Sequence, residues 1–236
     1  MNVRIEGRHP GFENMQRDEA LLEACAAGDF AHVVRIYGFS RPCLSLGRFQ
    51  DDCDVDVAAC ARDGVDVVRR PSGGSAVLHD EEVTYAVVCR IDDGVFGGGV
   101  LQSCSQIHAA IALGLSQLGV TAVAHAVPGD VRSALIHARR TGDCFAEPAA
   151  HELTDTHGRK LVGSAQARRG NALLQHGSVL LEPPRATAYL RSHAAPSGTG
   201  VRSLAGRRVS WAELASALAT GFARYAYAPV GPPRRT

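Results

Sequence analysis

The chain has 236 residues, 45% of them hydrophobic, and 25 Lys and Arg against 24 Asp and Glu give a formal net charge of +1. This composition is typical of a soluble protein with a full core, and the length suits one domain or at most two. We find no basic excess, no signal-peptide core and no apolar run of membrane-spanning length, so we expect a cytoplasmic protein without nucleic-acid or membrane partners.

The seven cysteines form no CxxC pair and do not have the spacing of a disulfide framework. An odd number of thiols without such spacing indicates reduced cysteines rather than disulfides or zinc ligands, so we expect no metal site. Free cysteines are usually buried small hydrophobes, and we expect this of Cys25, Cys89 and Cys104.

The N-terminal half alternates predicted helices with strands. A first helix is predicted from the N-cap Asn14 to about Gly28, because asparagine is a good cap and glycine a good stop. The further predicted elements are strands at Val33–Tyr37, Cys43–Leu46, Val65–Arg70 and Val83–Cys89, and a short helix at Val55–Arg62.

The segment from Arg69 to Asp80, reading RRPSGGSAVLHD, places two glycines between predicted strands. P-loops and Rossmann fingerprints both need a helix after their glycines, so neither fits. One interpretation is a plain hairpin turn. A loop that contacts a ligand is the favoured alternative, because arginines and His79 flank glycines whose bare amides can hold a carbonyl, carboxylate or phosphate.

The C-terminal half is predicted to combine a long helix, a β-meander and a final helix. Helical spacing of apolar residues predicts the long helix, and a capping box beginning at Ser210 predicts the start of the last one. His108, on the long helix, is interpreted as a surface or core residue. The predicted elements are a helix at Val100–Leu118, strands at Val120–Val123, His151–Thr154, Arg159–Arg169 and Ala172–Leu181, tight turns at Asp155–Gly158 and Gly170–Asn171, a short helix at Thr187–His193, a helix ending near Tyr225, an irregular stretch at 128–141 and a frayed tail at 229–236.

Lys160 is the only lysine of the chain. Lysine offers a compact amine whose pKa moves readily, whereas arginine does not, so a single lysine among arginines is either an accident of composition or functional. Strand alternation places Lys160, Val162, Ser164 and Gln166 on one face, and Gly163 and Ala165 on the other. Small residues permit close approach of a ligand, which favours a substrate channel beside Lys160.

Four ordered motifs resemble the catalytic fold of lipoate-protein ligase A and biotin ligases, and among these most closely the LipM-type octanoyltransferases. The motifs are NMQRDEA from Asn14, LSLGRFQ from Leu44, RRPSGGSAVLH from Arg69 and GRKLVGSAQ from Gly158, with the further matches EVTY from Glu82, CF at Cys144 and LQHGS from Leu174. The resemblance covers residues 10 to 225. It implies an α/β (α+β) chain, residues 1–236, forming a single catalytic domain whose mixed, largely antiparallel sheet is flanked by helices.

The resemblance also implies a reaction. Octanoyl would pass from acyl carrier protein to Cys144 as a thioester, and then to a lysine of a lipoyl domain of 2-oxoacid dehydrogenase complexes or of the glycine cleavage H protein. Lys160 would lower the pKa of Cys144, which agrees with the need for a thiolate and with the effect of a neighbouring cation. The donor carries its own phosphopantetheine, so we expect no cofactor.

The residues implied to bind substrate lie in the glycine loop and on two predicted strands. His79 and His176 either tie the loops together or act in catalysis, and Arg70 is a candidate contact for phosphopantetheine or for an acidic carrier surface. The full set is Arg70, Ser72, Gly73, Gly74, Ser75, His79, Gly163, Ser164, Ala165, Gln166, His176 and Gly177.

Three alternatives stay open at this point. The chain could be an ATP- and magnesium-dependent lipoate-protein ligase, an amidotransferase that moves octanoyl between lipoyl-bearing proteins, or an inactive relative that binds carrier proteins. Ligases usually carry a third glycine where Ser75 stands. They also tend to carry asparagine and aspartate near Cys144 and a further C-terminal domain, so the cysteine and an end after the last predicted helix disfavour the ligase. Retention of both Cys144 and Lys160 disfavours a pure binding protein.

Overall fold

The computed structural model describes residues 1–125, 144–145, 148, 151–184, 189–191 and 198–227. These residues form a mixed α/β structure in which a sheet is flanked by helices, as predicted. The strands are β1 (Val3–His9), β2 (His32–Phe39), β3 (Cys43–Leu46), β4 (Asp66–Arg69), β5 (Val77–His79), β6 (Glu82–Arg90), β7 (Val123–Ala124), β8 (Leu153–Thr154), β9 (Val162–Arg169) and β10 (Ala172–Leu180). The helices are α1 (Gly11–Ala27), α2 (Val57–Arg62), α3 (Val100–Ser116), α4 (Val201–Ala205) and α5 (Trp211–Tyr227).

The main sheet has five strands in the order β1-β2-β6-β10-β9. Only β1 and β2 pair in parallel, and the other neighbours are antiparallel. A smaller sheet has the order β4-β3-β5, and β7 pairs with β8. The predicted mixed and largely antiparallel arrangement is therefore confirmed.

The two faces of the main sheet bury different helices. Val83, Tyr85 and Val87 of β6 belong to the larger apolar cluster, which packs against α3 and α5. The alternate residues Ala86 and Val88 belong to a second cluster, which packs against α1. Since side chains alternate along a strand, β6 is apolar on both faces and lies at the centre of the fold. Among the described residues, no helix has the length and apolarity needed to cross a membrane.

The first helix starts earlier than predicted, and Asn14 is not its cap. The helix begins at Gly11, directly after Pro10, whose φ of −56° suits a helix start. Asn14 is instead fully buried within α1, where its amide donates hydrogen bonds to the carbonyl oxygens of Gly38 (2.9 Å) and His9 (3.3 Å). Asparagine is a common cap residue, but here Asn14 holds α1 to β2 through its contact with Gly38.

The glycine loop is not a hairpin turn. β4 and β5, the strands that it joins, do not pair with each other, because both pair with β3, which lies between them. The loop therefore passes the C-terminal end of β3, and its Ser72 hydroxyl lies 2.5 Å from Nε2 of His176 in β10 of the main sheet. Its position leaves the ligand-contacting interpretation in place.

The predicted meander is only partly correct. The turn at Gly170 and Asn171 joins β9 to β10 as predicted, but β8 pairs with β7, and only a single bridge links Thr154 to Lys160. Lys160 thus precedes β9 rather than starting it. The predicted strand at Val120–Val123 is displaced to Val123–Ala124. The predicted stretches 128–141 and 229–236, and most of Thr187–His193, lie outside the described residues.

Candidate active site

Cys144 lies where the glycine loop, β5 and β9 meet. Its backbone N–H donates a 2.9 Å hydrogen bond to the carbonyl oxygen of Ala76, directly before β5. Its thiol faces Gly163: a Cβ atom on that glycine would lie 3.3 Å from Cys144 Sγ and 3.0 Å from Cζ of Phe145. The missing side chain at position 163 therefore makes the room that the thiol and the neighbouring ring occupy.

The Lys160 ammonium has three N–H donors and three acceptors around it. Nζ lies 2.6 Å from the Cys144 carbonyl oxygen, 3.5 Å from Cys144 Sγ and 2.6 Å from Oε2 of Glu152. The side chain is only 2% exposed, and a buried cation is stable only when it is paired and hydrogen-bonded. The structure therefore brings Cys144 and Lys160 together, while their catalytic roles stay a prediction.

The pKa of the Cys144 thiol is raised above its ordinary value. Burial is the largest cause; Lys160 lowers this pKa, the Glu152 carboxylate raises it, and Arg70 lowers it. The expected effect of Lys160 is thus present, but burial outweighs it. Burial also lowers the pKa of Lys160, yet its interactions with Cys144 and with the Glu152 carboxylate leave that pKa above its ordinary value.

Glu152 is the functional candidate that the sequence analysis missed. It is 5% exposed, and it pairs with the lysine whose uniqueness had drawn attention to the site. A signal was present, because the predicted turn from Asp155 to Gly158 folds Glu152 back toward Lys160. A carboxylate opposite the only lysine could have been proposed as its partner from that turn alone.

A small cavity of about 40 Å³ lies beside Cys144. This volume is below the roughly 300–1,000 Å³ that is usual for ligand pockets. Its lining residues are Met15, Tyr37, Ser45, Arg70, Gly74, Val77, His79, Thr84, Cys144, Gly163, Ser164, Ala165, His176, Gly177 and Ser178.

The polar groups of this lining are largely engaged with one another. His79 contacts Glu82 at 2.6 Å and the hydroxyl of Ser45 at 2.7 Å, and the Thr84 hydroxyl donates to Glu82 at 2.6 Å. Groups that are already paired need no water, so the wall tolerates an apolar guest.

Arg70 lines the cavity but points its guanidinium into the protein. It donates to the carbonyl oxygens of Gly73 (2.8 Å), Ser75 (2.6 Å) and Ser45 (3.0 Å). The side chain is buried and its donors hold the glycine loop, while its predicted contact with phosphopantetheine or an acidic carrier surface stays a prediction. The loop also presses on β3, since a Cβ atom on Gly47 would lie 2.0 Å from the carbonyl oxygen of Gly74.

His176 ties the glycine loop to α1. Its Nε2 lies 2.5 Å from the Ser72 hydroxyl, and its Nδ1 lies 2.9 Å from Asp18. Asp18 also accepts from the Tyr37 hydroxyl at 2.9 Å. Of the two roles left open for this histidine, the geometry favours fastening the loop.

Four of the predicted substrate residues lie outside the cavity lining, namely Ser72, Gly73, Ser75 and Gln166. Gln166 faces the opposite side of the sheet, where its amide donates to Gln175 (2.7 Å) and to the carbonyl oxygen of Val100 (3.0 Å). The strand alternation had already separated Gln166 from Gly163 and Ala165, which do line the cavity. The structure therefore does not bring Gln166 to the predicted site.

His108 is a core residue, which is one of the two interpretations, surface or core, given for it from the sequence. It is 1% exposed, and burial lowers its pKa, so the ring is neutral. Its Nδ1 lies 2.6 Å from the carbonyl oxygen of His151, and its Nε2 lies 2.8 Å from the Ser164 hydroxyl. The ring thus connects α3 to the segments that carry Glu152 and line the cavity.

Three comparisons identify the family. A family model described as "Lipoyl protein ligase A/B catalytic domain" matches residues 10–223. A protein from Symbiobacterium thermophilum named "Octanoyltransferase LipM" is 38% identical, over 92% of this chain and 83% of its own. A second protein of that name, from Carboxydothermus hydrogenoformans, is 43% identical over 73% of this chain and 61% of its own.

A solved structure described as lipoate-protein ligase A bound with ATP superposes with a TM-score of 0.72 and covers 95% of this chain and 85% of that one. At 22% identity this likeness shows the shared fold. The family match and the two relatives go further, because they extend over most of the sequence. The chain therefore belongs to the lipoyl protein ligase A/B catalytic-domain family, and within it to the LipM octanoyltransferases.

Proposed function

We propose that the chain is an octanoyltransferase that carries octanoyl as a thioester on Cys144 and delivers it to a lysine of an acceptor protein. The observation that carries the proposal is the contact of Cys144 Sγ with Lys160 Nζ, 3.5 Å apart beside a cavity that Gly74, Gly163 and Ala165 help to line. The identity of the acyl group is proposed from the relatives that are named octanoyltransferases.

The first step exchanges one thioester for another. Cys144 sulfur attacks the carbonyl carbon of the octanoyl donor, a C–S bond forms, and the C–S bond to the donor breaks. The proton of the Cys144 thiol ends on the departing donor thiol, so charge and atoms balance without ATP. The Lys160 ammonium, already a donor to Sγ, stabilises negative charge that develops on sulfur and on the adjacent oxygen.

The second step forms an amide. The acceptor lysine, as a free amine, attacks the octanoyl carbon; a C–N bond forms, the C–S bond to Cys144 breaks, and the amine proton restores the thiol. Here Lys160 stabilises the leaving thiolate, because it lies within hydrogen-bonding reach of the same sulfur. One cation therefore serves both steps.

The proposed partners follow from this chemistry. Octanoyl-acyl carrier protein is the proposed donor, since its phosphopantetheine thioester has the right reactivity. A lipoyl domain or the glycine cleavage H protein is the proposed acceptor, in keeping with a lipoyl protein ligase family. We place the reaction in the cytoplasm, where acyl carrier protein and reduced thiols occur together.

Intact-protein mass spectrometry after mixing with octanoyl-acyl carrier protein, without ATP, tests the proposal. The expected result is one octanoyl group that hydroxylamine removes and that the Cys144→Ala variant never acquires. Octanoyl on the alanine variant would overturn the Cys144 route. Acyl transfer only with ATP and free acid would identify a ligase, and loading only from octanoylated H protein would identify an amidotransferase.

A further inference from the structure

The backbone before Glu152 is held in an uncommon conformation. His151 has a φ of +66° and is the only non-glycine residue with a positive φ in the described part of the chain. A left-handed residue other than glycine costs free energy and persists only where its surroundings hold it. His108 supplies that hold, since its Nδ1 lies 2.6 Å from the carbonyl oxygen of His151.

This contact fixes the direction of a hydrogen-bond chain. A carbonyl can only accept, so His108 Nδ1 carries the proton and Nε2 is the acceptor for the Ser164 hydroxyl at 2.8 Å. The Ser164 oxygen then accepts from the Tyr85 hydroxyl at 2.7 Å. The chain of hydrogen bonds therefore runs from Tyr85 through Ser164 and His108 to the backbone carbonyl directly before Glu152.

Glu152 itself is held through both carboxylate oxygens. Oε1 accepts from the backbone N–H of Ser164 at 3.3 Å, and Oε2 accepts from Lys160 at 2.6 Å. A lysine side chain has several rotatable bonds, and a fixed carboxylate limits where its ammonium can lie. Here that place is against Cys144.

We propose that Glu152 is a positioning residue that fixes the Lys160 ammonium against Cys144 and balances its charge, so that Cys144 stays a thiol until an acyl donor arrives. The inference rests on the proposed function for the identity of that donor. It adds Glu152 as a third member of the site, and it gives a reason why a partly buried cysteine beside two cations is not permanently ionised.

The charges around Cys144 carry the argument. Lys160 and Arg70 are the cations that favour its thiolate, and Glu152 is the carboxylate that opposes it. With Glu152 neutral, the thiolate becomes the counter-ion of Lys160, so the pKa of Cys144 falls. Each unit of that fall raises the thiolate fraction about tenfold near neutral pH.

The test measures alkylation of Cys144 by iodoacetamide as a function of pH, followed by peptide mass mapping so that the other cysteines do not interfere. Glu152→Gln is expected to raise the alkylation rate at pH 7 roughly tenfold and to shift the pH profile downward, while octanoyl transfer falls. A merely structural role would not make the nucleophile more reactive while transfer declines. An unchanged or slower alkylation by folded Glu152→Gln would overturn the proposal.

Two further variants separate charge from position. Glu152→Asp keeps the charge but shortens the side chain, so alkylation should stay near that of the unaltered protein while transfer falls. Glu23→Gln, which removes an exposed carboxylate that contacts Arg169, is the matched control and should change neither. If Glu152→Gln fails to fold, a Glu152→Asp variant with full transfer would contradict the positioning role.

The alkylation assay needs no acyl donor, so its outcome is independent of the proposed function. A chain that gains no octanoyl on Cys144 but shows faster alkylation in Glu152→Gln would refute the octanoyltransferase mechanism and retain the charge balance. A chain that gains octanoyl on Cys144 but shows no faster alkylation in Glu152→Gln would refute the role of Glu152 and retain the octanoyltransferase mechanism.

Discussion

At the scale of single residues, the site depends on a lysine that arginine cannot replace. The ammonium of Lys160 places its three donors on the Cys144 carbonyl oxygen, the Cys144 sulfur and Glu152. Arginine presents its donors in a rigid planar fork, so they do not converge from one nitrogen atom in that way. The choice of lysine at one position in a chain otherwise built with arginine is thereby explained.

We expect Lys160→Arg to lower octanoyl transfer about a hundredfold or more, because displacement of a catalytic group by about 1 Å already costs that much. The larger buried side chain should also reduce the free energy of unfolding by about 1–3 kcal/mol. Single-turnover transfer and denaturant unfolding measure the two effects. Turnover near that of the unaltered protein would show that charge alone suffices.

Which residues form the site could be predicted only where the signal was local. Cys144, Lys160 and the glycine loop stand in short motifs, so the sequence identified them. Glu152 belongs to no motif, and its signal was the predicted turn that brings it toward Lys160. The inward orientation of Arg70 had no such signal, because composition does not tell whether an arginine binds a ligand or its own loop.

At the scale of elements, the turn between β8 and Lys160, organised by Asp155, keeps Glu152 opposite Lys160. Asp155 accepts the backbone N–H groups of His157 and Arg159, each at 2.9 Å, and the side chain of Arg159 at 2.7 Å. Beyond the turn, the Leu161 N–H donates to the carbonyl oxygen of Leu153 at 2.9 Å. The turn therefore sets the distance between Glu152 and Lys160.

Asp155→Ala should reduce the free energy of unfolding by about 1–3 kcal/mol, because backbone donors lose a buried acceptor, and should also lower transfer. Burial raises the pKa of Asp155, but hydrogen bonds from Arg159 and His157 outweigh burial and leave this pKa lowered. The charge therefore stabilises the fold above the ordinary carboxyl pKa, and the effect is lost as pH falls through the lowered value.

Asp155→Asn separates the two contributions, since it keeps an acceptor and removes the charge. Its deficit in unfolding free energy should be present at neutral pH and vanish in acid, as followed by urea unfolding at several pH values. A deficit that stays constant down to the lowest pH would show that the charge of Asp155 contributes nothing.

Local sequence patterns predict the turns between elements but not which strands pair. Tight turns such as Gly170–Asn171 were predicted correctly, because turn chemistry is local. The pairing of β4 and β5 with β3, and of β8 with β7, was not, since which strands pair depends on contacts distant in the chain. The hairpin interpretation of the glycine loop failed for that reason.

At the scale of the whole molecule, one face of the main sheet forms the larger core and the other face contributes to the cavity. Its face toward α3 and α5 carries the larger apolar cluster, while the other face carries the small residues Gly163 and Ala165, which line the cavity. The glycine loop and the smaller sheet complete the cavity wall. The fold class could be predicted, because it followed from motifs that span nearly the whole chain.

In the proposed reaction, octanoyl passes through Cys144 on its way to an acceptor lysine. The most direct measurement is a chase: isolate the octanoylated protein free of donor, add a lipoyl domain without ATP, and follow the mass of both proteins. We predict loss of octanoyl from Cys144 matched by its appearance on one lysine of the lipoyl domain. Octanoyl that stays on Cys144, or an acceptor that is modified only when ATP and free octanoate are supplied, would contradict the account.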